Sequence, residues 1–86
     1  MSSLSVSLVA ADRLVWQGEA RQVSARSVDG ELGILPGHEP ILTLLGAGDV
    51  VIQGADGGSH TAAIDEGFLA VDRNTVTIVA EHVTVA

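Results

Sequence analysis

Hydrophobic and polar residues alternate along most of this chain. Leu4, Val6, Leu8 and Ala10 are separated by Ser5, Ser7 and Val9, with Ser3 before them. A period of two is the signature of a strand with one buried face. The period returns at Val23 and Ala25 against Gln22, Ser24 and Arg26, and at Val76, Ile78 and Ala80 against Thr75, Thr77 and Val79. In "EGFLAVD", Phe68 and Ala70 fall on one face and Leu69 and Val71 on the other. Between these runs stand turn signals: Asp29-Gly30, "PGHEP", "GAGD", "ADGG" and "RNT". No window carries a helical i, i+3, i+4, i+7 stripe, and the nearest approach, Ile41 to Leu45, is short and ends at Gly46. Many short strands with regular turns predict a single all-β domain over residues 1–86, a sandwich or flattened barrel.

Composition narrows the chemistry. Hydrophobic residues make up 47% of the 86 residues, too many for a disordered acidic segment. So short a chain buries only roughly 60–65% of its unfolded surface, which leaves stability modest or dependent on a partner. Eleven acidic residues face four basic ones, all arginine, for a formal charge of −7. That balance opposes binding to nucleic acid, which rests on lysine and arginine displacing counterions. It also disfavours direct contact with anionic lipid. The absence of lysine removes Schiff-base chemistry, and the absence of cysteine removes disulfides, thiolate metal sites and thiol nucleophiles. The opening "MSSLSVSLVAADR" has no basic segment before its apolar part, and no apolar run approaches the roughly 18 residues of a membrane helix. The expectation is a soluble, cytoplasmic protein.

Catalytic and metal motifs find little support. His38, His60 and His82 are spaced too widely for paired zinc ligands. "GAG" at Gly46 to Gly48 has no third glycine and no following helix, so it reads as a tight turn rather than a dinucleotide fingerprint. The serines sit in no nucleophile motif. Asp65 and Glu66 are adjacent and would point to opposite faces of a strand, which suits no acid/base pair. Trp16, the one tryptophan, reads as a strand-packing residue or an anchor on a partner surface. No catalytic residue, cofactor or metal site is expected.

The least generic stretch is "DGELGILPGHEPILTLLGAGDVVI", Asp29 to Ile52. Pro36 and Pro40 fix φ and remove two backbone donors, so the chain between them is stiff and cannot join a central strand. Gly33 and Gly37 permit backbone angles that other residues resist. A stiff polar loop on a β scaffold suits recognition, because docking orders little. The plainer reading is a structural corner in which His38 and Glu39 satisfy backbone groups.

This stretch resembles a motif of the epsilon subunit of F-type ATP synthases, "EGELGILPGHxPLLTxLxxGxV". The likeness extends to "LSVSLVAADRLVWQGEARQVSAR" before it, with Val15, Gly18, Ala20 and Val23 in the family spacing, and to "DEGFLAVDRNTVTIVAEHV" after it. It covers roughly Leu4 to Val83, and "VAADR.VW.GEA" is similar to actinobacterial members in particular.

The resemblance implies a roughly ten-stranded β-sandwich, the amino-terminal domain of a rotor subunit. It implies packing on the gamma subunit and on the polar loops of the c-ring, at the cytoplasmic face of the bacterial plasma membrane. Carried over residue by residue, Glu31 and His38 become the ring contacts, with Gly30, Gly33, Pro36 and Gly37 shaping the loop. Glu31 would pair with arginine on the ring loops. The family's C-terminal helical hairpin, which in some members binds ATP, has no counterpart before Ala86, so no small-molecule ligand is expected. Glu66 stands where the family has the first glycine of "GGF", which puts a special backbone angle there in doubt. The competing reading is a small all-β module that binds a ligand or another protein. It needs a concave apolar pocket that no cluster in the sequence marks.

Overall fold

A computed structural model describes residues 3–85. Nine strands follow one another with no helix between them: β1 (Leu4–Ala10), β2 (Arg13–Ser27), β3 (Gly30–Ile34), β4 (Ile41–Leu45), β5 (Gly48–Gly54), β6 (Ser59–Ile64), β7 (Gly67–Asp72), β8 (Thr75–Ala80) and β9 (Val83–Val85). The order β1-β8-β7-β4-β2-β5-β6-β9 is hydrogen-bonded throughout, β3 joins β2, and β1 also pairs β2. The β1–β8 pairing is parallel and the others are antiparallel.

The 15-residue β2 explains how one sheet becomes two layers. Its first half pairs β1, from Ala10↔Arg13 to Leu4↔Ala20. Its second half lies between β3 and β5, where Val23 faces both Ile34 and Ile52. The register slips between Ala20 and Gln22. An extra residue there bends the strand and sharpens its twist. It also moves the inward phase from Ala20 to Val23. Ser27 then meets Leu45 of β4, which closes a flattened barrel through β1, β8 and β7. Because β2 serves both layers, the domain is built from nine described strands rather than ten.

The core is where the alternating positions meet. Leu4, Leu8, Ile34, Leu45, Ile52, Leu69 and Ile78 are fully buried, and among the described residues no polar or charged one is buried with them. The expected alternation of β1 and β8 holds residue by residue. In β7 the buried face is Leu69 and Val71, which leaves Phe68 outside. The shortest extent is 20 Å, enough for two sheets about 10 Å apart with outward side chains.

Two details bear on the expectations. Among the described residues, left-handed backbone at non-glycine positions occurs only at Arg73 and Asn74, so Glu66 needs no special angle. Gly67 is the glycine that matters. A Cβ there would stand 1.9 Å from the Val79 carbonyl oxygen. Asp65 and Glu66 lie in the β6–β7 turn rather than on a strand.

Candidate functional site

The corner between β3 and β4 is built by local chemistry. At its entrance the Ser27 hydroxyl donates to the Gly30 carbonyl (2.8 Å) and accepts from the Asp29 amide (3.2 Å), closing the β2–β3 turn. Gly30 takes φ +134°, a value that side-chain-bearing residues rarely adopt. After Ile34 dives into the core, the His38 amide donates to the Leu35 carbonyl (3.1 Å) and makes a turn over Pro36-Gly37. Gly37 has φ +87°, and its amide donates to Asn74 Oδ1 (2.7 Å) on the β7–β8 turn. His38 is half-buried, and its Nδ1–H donates to the Glu39 carbonyl (2.7 Å). The loop is therefore held at three points by hydrogen bonds, besides the two prolines.

The predicted residues divide by role. Pro36 and Gly37 form the corner, whereas Gly30 and Gly33 lie on β3 and Gly33 takes no left-handed angle; His38 spends one ring nitrogen on the neighbouring backbone. Glu31 is exposed on β3 and makes no ion pair among the described residues. Its cross-strand neighbour is Arg26, yet the two do not close a salt bridge.

Glu31 lines an open cleft of about 450 Å³ with Ser24, Ala25, Arg26, Gly48, Asp49 and Val51. The stem of Arg26 lies against Gly48, 3.7 Å from where a Cβ would stand. His38 is not part of this cleft, so the structure does not gather Glu31 and His38 into one pocket. Arg26 comes beside Glu31 through the β2–β3 register and Asp49 through the β2–β5 pairing, neither of which has a local signature in the sequence.

A second surface lies on the outer side of β4 and β7. Leu44 faces Phe68 across the pair and Leu42 faces Ala70. Val28 joins them, its amide donating to the Leu44 carbonyl (3.2 Å). Leu42 is 74% exposed, and Leu44 and Val28 are each 64% exposed. Large apolar side chains exposed together on one face, rather than scattered singly, are a common feature of interaction surfaces. The sequence did hold the signal: Ile41, Leu42, Leu44 and Leu45 put apolar side chains on both faces of one strand.

A family model for the β-sandwich domain of the ATP synthase delta/epsilon chain matches residues 3–86. The ATP synthase epsilon chain of Micrococcus luteus is 50% identical over 80 residues, which cover 93% of this chain and 88% of that one. The epsilon chain of Rhodococcus jostii is 48% identical over 87 residues, covering 100% of this chain and 71% of its relative. That of Corynebacterium diphtheriae is 45% identical over 83 residues, covering 95% and 68%. Two solved assemblies contain a chain of the same shape. One is the Euglena gracilis mitochondrial ATP synthase with OSCP, F1 and c-ring (TM-score 0.92, 23% identity, 99% of this chain and 54% of that chain). The other is the central stalk and c-ring of the Tetrahymena thermophila enzyme (TM-score 0.80, 17% identity, 96% and 66%). At such identities the structural likeness speaks for the fold alone. This chain spans about half the length of the Euglena one.

Proposed function

Since the chain belongs to the delta/epsilon chain family of ATP synthases, we propose that it is a non-catalytic central-stalk subunit coupling proton flow through a c-ring to ATP synthesis on other chains. Its place would be peripheral, on the cytoplasmic face of the bacterial plasma membrane. The corner at Gly30 to Pro40 rests on the polar loops of the ring. The apolar face of Leu42, Leu44, Val28 and Phe68 packs on the gamma subunit.

One observation carries this reading: Glu31 presents an exposed carboxylate, free of any local ion pair, on a strand that runs straight into a pinned loop. A part that transmits torque loses motion in any soft joint, so its contact must be stiff. A carboxylate not already engaged can take a bidentate hydrogen bond from a ring arginine. The apolar face supports the second contact, because removing such a face from water is the general driving force of stable subunit interfaces.

The reading is tested with Glu31→Lys in membranes of the source organism. The substitution reverses the charge at an exposed position, so the isolated domain should melt within about 0.5 kcal/mol of the parent. Attachment to the ring and proton-coupled ATP synthesis should both fall. Parental rates of synthesis in those membranes would remove the ring contact from Glu31.

The alternative, a small-ligand module, has less to rest on. The apolar recess lined by Leu8, Val15, Trp16, Ile52, His60 and Val85 holds about 40 Å³, against several hundred for an ordinary ligand pocket.

A further inference from the structure

The last described strand, β9, is held by little. Among the described residues it has three, pairs only β6, and buries one side chain, Val83. Its first residue follows the β8–β9 turn, and there a carboxylate from a different turn reaches across. Asp65 Oδ2 accepts from His82 Nδ1–H (2.8 Å), and Asp65 Oδ1 accepts from the amides of His82 (3.2 Å) and Glu66 (2.7 Å). One side chain thus ties the β6–β7 turn to the residue just before β9. We propose that the Asp65–His82 bridge is a proton-sensitive latch on β9: when His82 loses its proton, β9 loosens from β6 while the rest of the sandwich stays closed. This stands independently of the rotor reading.

The groups around His82 set the direction. Asp65 faces it from the β6–β7 turn, Glu81 adjoins it, and Asp12 of the β1–β2 turn and Arg13 at the start of β2 approach it. The hydrogen bond that His82 donates to Asp65 and the negative charge of that carboxylate, with smaller help from Glu81 and Asp12, raise the His82 pKa above its ordinary 6.5. The His82 bond, then the Glu66 amide, hold Asp65 down at about 2 instead of 3.8. A raised histidine stabilises the fold fully below its unfolded pKa and stops doing so as pH rises through the folded one. A depressed carboxylate stabilises above its unfolded pKa and fails as pH falls through about 2. The latch is therefore complete between the ordinary carboxylate and imidazole values, and opens on the alkaline side as pH rises through the raised His82 value. Arg13, whose Nη2 donates weakly to the Val83 carbonyl (3.4 Å), is a second tether that does not involve His82, so β9 loosens rather than leaves.

Both partners are well exposed, 80% for the His82 side chain and 40% for Asp65, so the bridge is modest in strength. It matters because β9 has so little else.

Residue-resolved amide exchange on the intact chain tests the proposal, with rates normalised to intrinsic exchange at each pH. As pH rises from about 6 through the raised His82 value, protection should fall several-fold in Val83–Val85 and in their partners Ala62 to Ile64, and stay level in β1 and β8. His82→Gln and Asp65→Asn should each flatten that dependence. The amide oxygen that Asp65→Asn introduces can still accept both backbone bonds, so this variant removes the charge and the acceptor for His82 Nδ1–H while sparing the turn. His60 is the histidine on β6 itself, and the response must survive His60→Gln. Level protection of β9 in the parent chain, a response that persists in His82→Gln, or one that vanishes in His60→Gln would each overturn the latch.

Discussion

Asn74 and Gly37 are joined across 37 residues of sequence by a single hydrogen bond, the Gly37 amide donating to Asn74 Oδ1 at 2.7 Å. Asn74 is also one of two non-glycine residues with left-handed backbone among those described, at φ +63°, and its carbonyl accepts from the Ser5 amide (2.8 Å). The β7–β8 turn is thereby fastened on one side to β1 and on the other to the proline loop. Asparagine is among the few residues that tolerate this backbone region and still offer a side-chain acceptor.

Asn74→Gly separates these two duties. Glycine keeps the left-handed turn and deletes only the acceptor. The domain should lose about 1 kcal/mol, the ordinary worth of one such bond, while the Gly37 amide loses its protection and the strands keep theirs. Amide exchange with a denaturant melt reads both. If the loop bears torque, coupling should fall with the fold intact. Unchanged exchange at Gly37 would mean that the prolines and the loop's own hydrogen bonds hold the corner without Asn74.

The sequence was most legible where one strand answers to one period. Leu4, Val6, Leu8 and Ala10 are all buried as their spacing requires, and so are Val76, Ile78 and Ala80. It was least legible in β2, where Ala20 and Val23 are both inward though three residues apart. A bulge changes the phase in mid-strand, and its cause is the need to turn from one layer to the other. That is a tertiary demand with no local signature. The candidate site divides the same way. Turn chemistry marked Gly30, Pro36 and Gly37, whereas Asp49 and Asn74 enter through pairings formed far along the chain.

Leu44 and Leu45 are neighbours of identical chemistry with opposite fates, 64% and 2% exposed. Leu45→Ala empties a core position and should cost about 2–5 kcal/mol in a denaturant melt. Leu44→Ser removes surface that the isolated domain already leaves in water, so stability should move by no more than about 0.5 kcal/mol. Its effect should instead be weaker capture of the gamma subunit in co-purification. The pair thus separates folding from docking within one strand. Equal losses of stability for both variants would mean that the β4 face is held by the domain itself.

Gly67 tests how closely β7 and β8 must approach. The pair runs in register from Gly67↔Ala80 to Asp72↔Thr75, and at its start the backbone of β8 occupies the volume where a side chain would begin. An added Cβ would meet the Val79 carbonyl oxygen at 1.9 Å and the Ala80 Cα at 2.9 Å. Neither atom belongs to a flexible side chain that could swing away, so relief requires moving a strand. Gly18 offers the contrast, since a Cβ there meets only the tip of the Trp16 ring, at 2.9 Å, and an indole can tilt. Gly67→Ala should therefore cost at least the about 1–3 kcal/mol typical of overpacking. Gly18→Ala should cost less and report itself as a shift in Trp16 fluorescence. Melts of the two variants decide the matter. A Gly67→Ala domain as stable as the parent would mean that the sheet opens freely at this end, and that the glycine serves the turn before β7 rather than the strand.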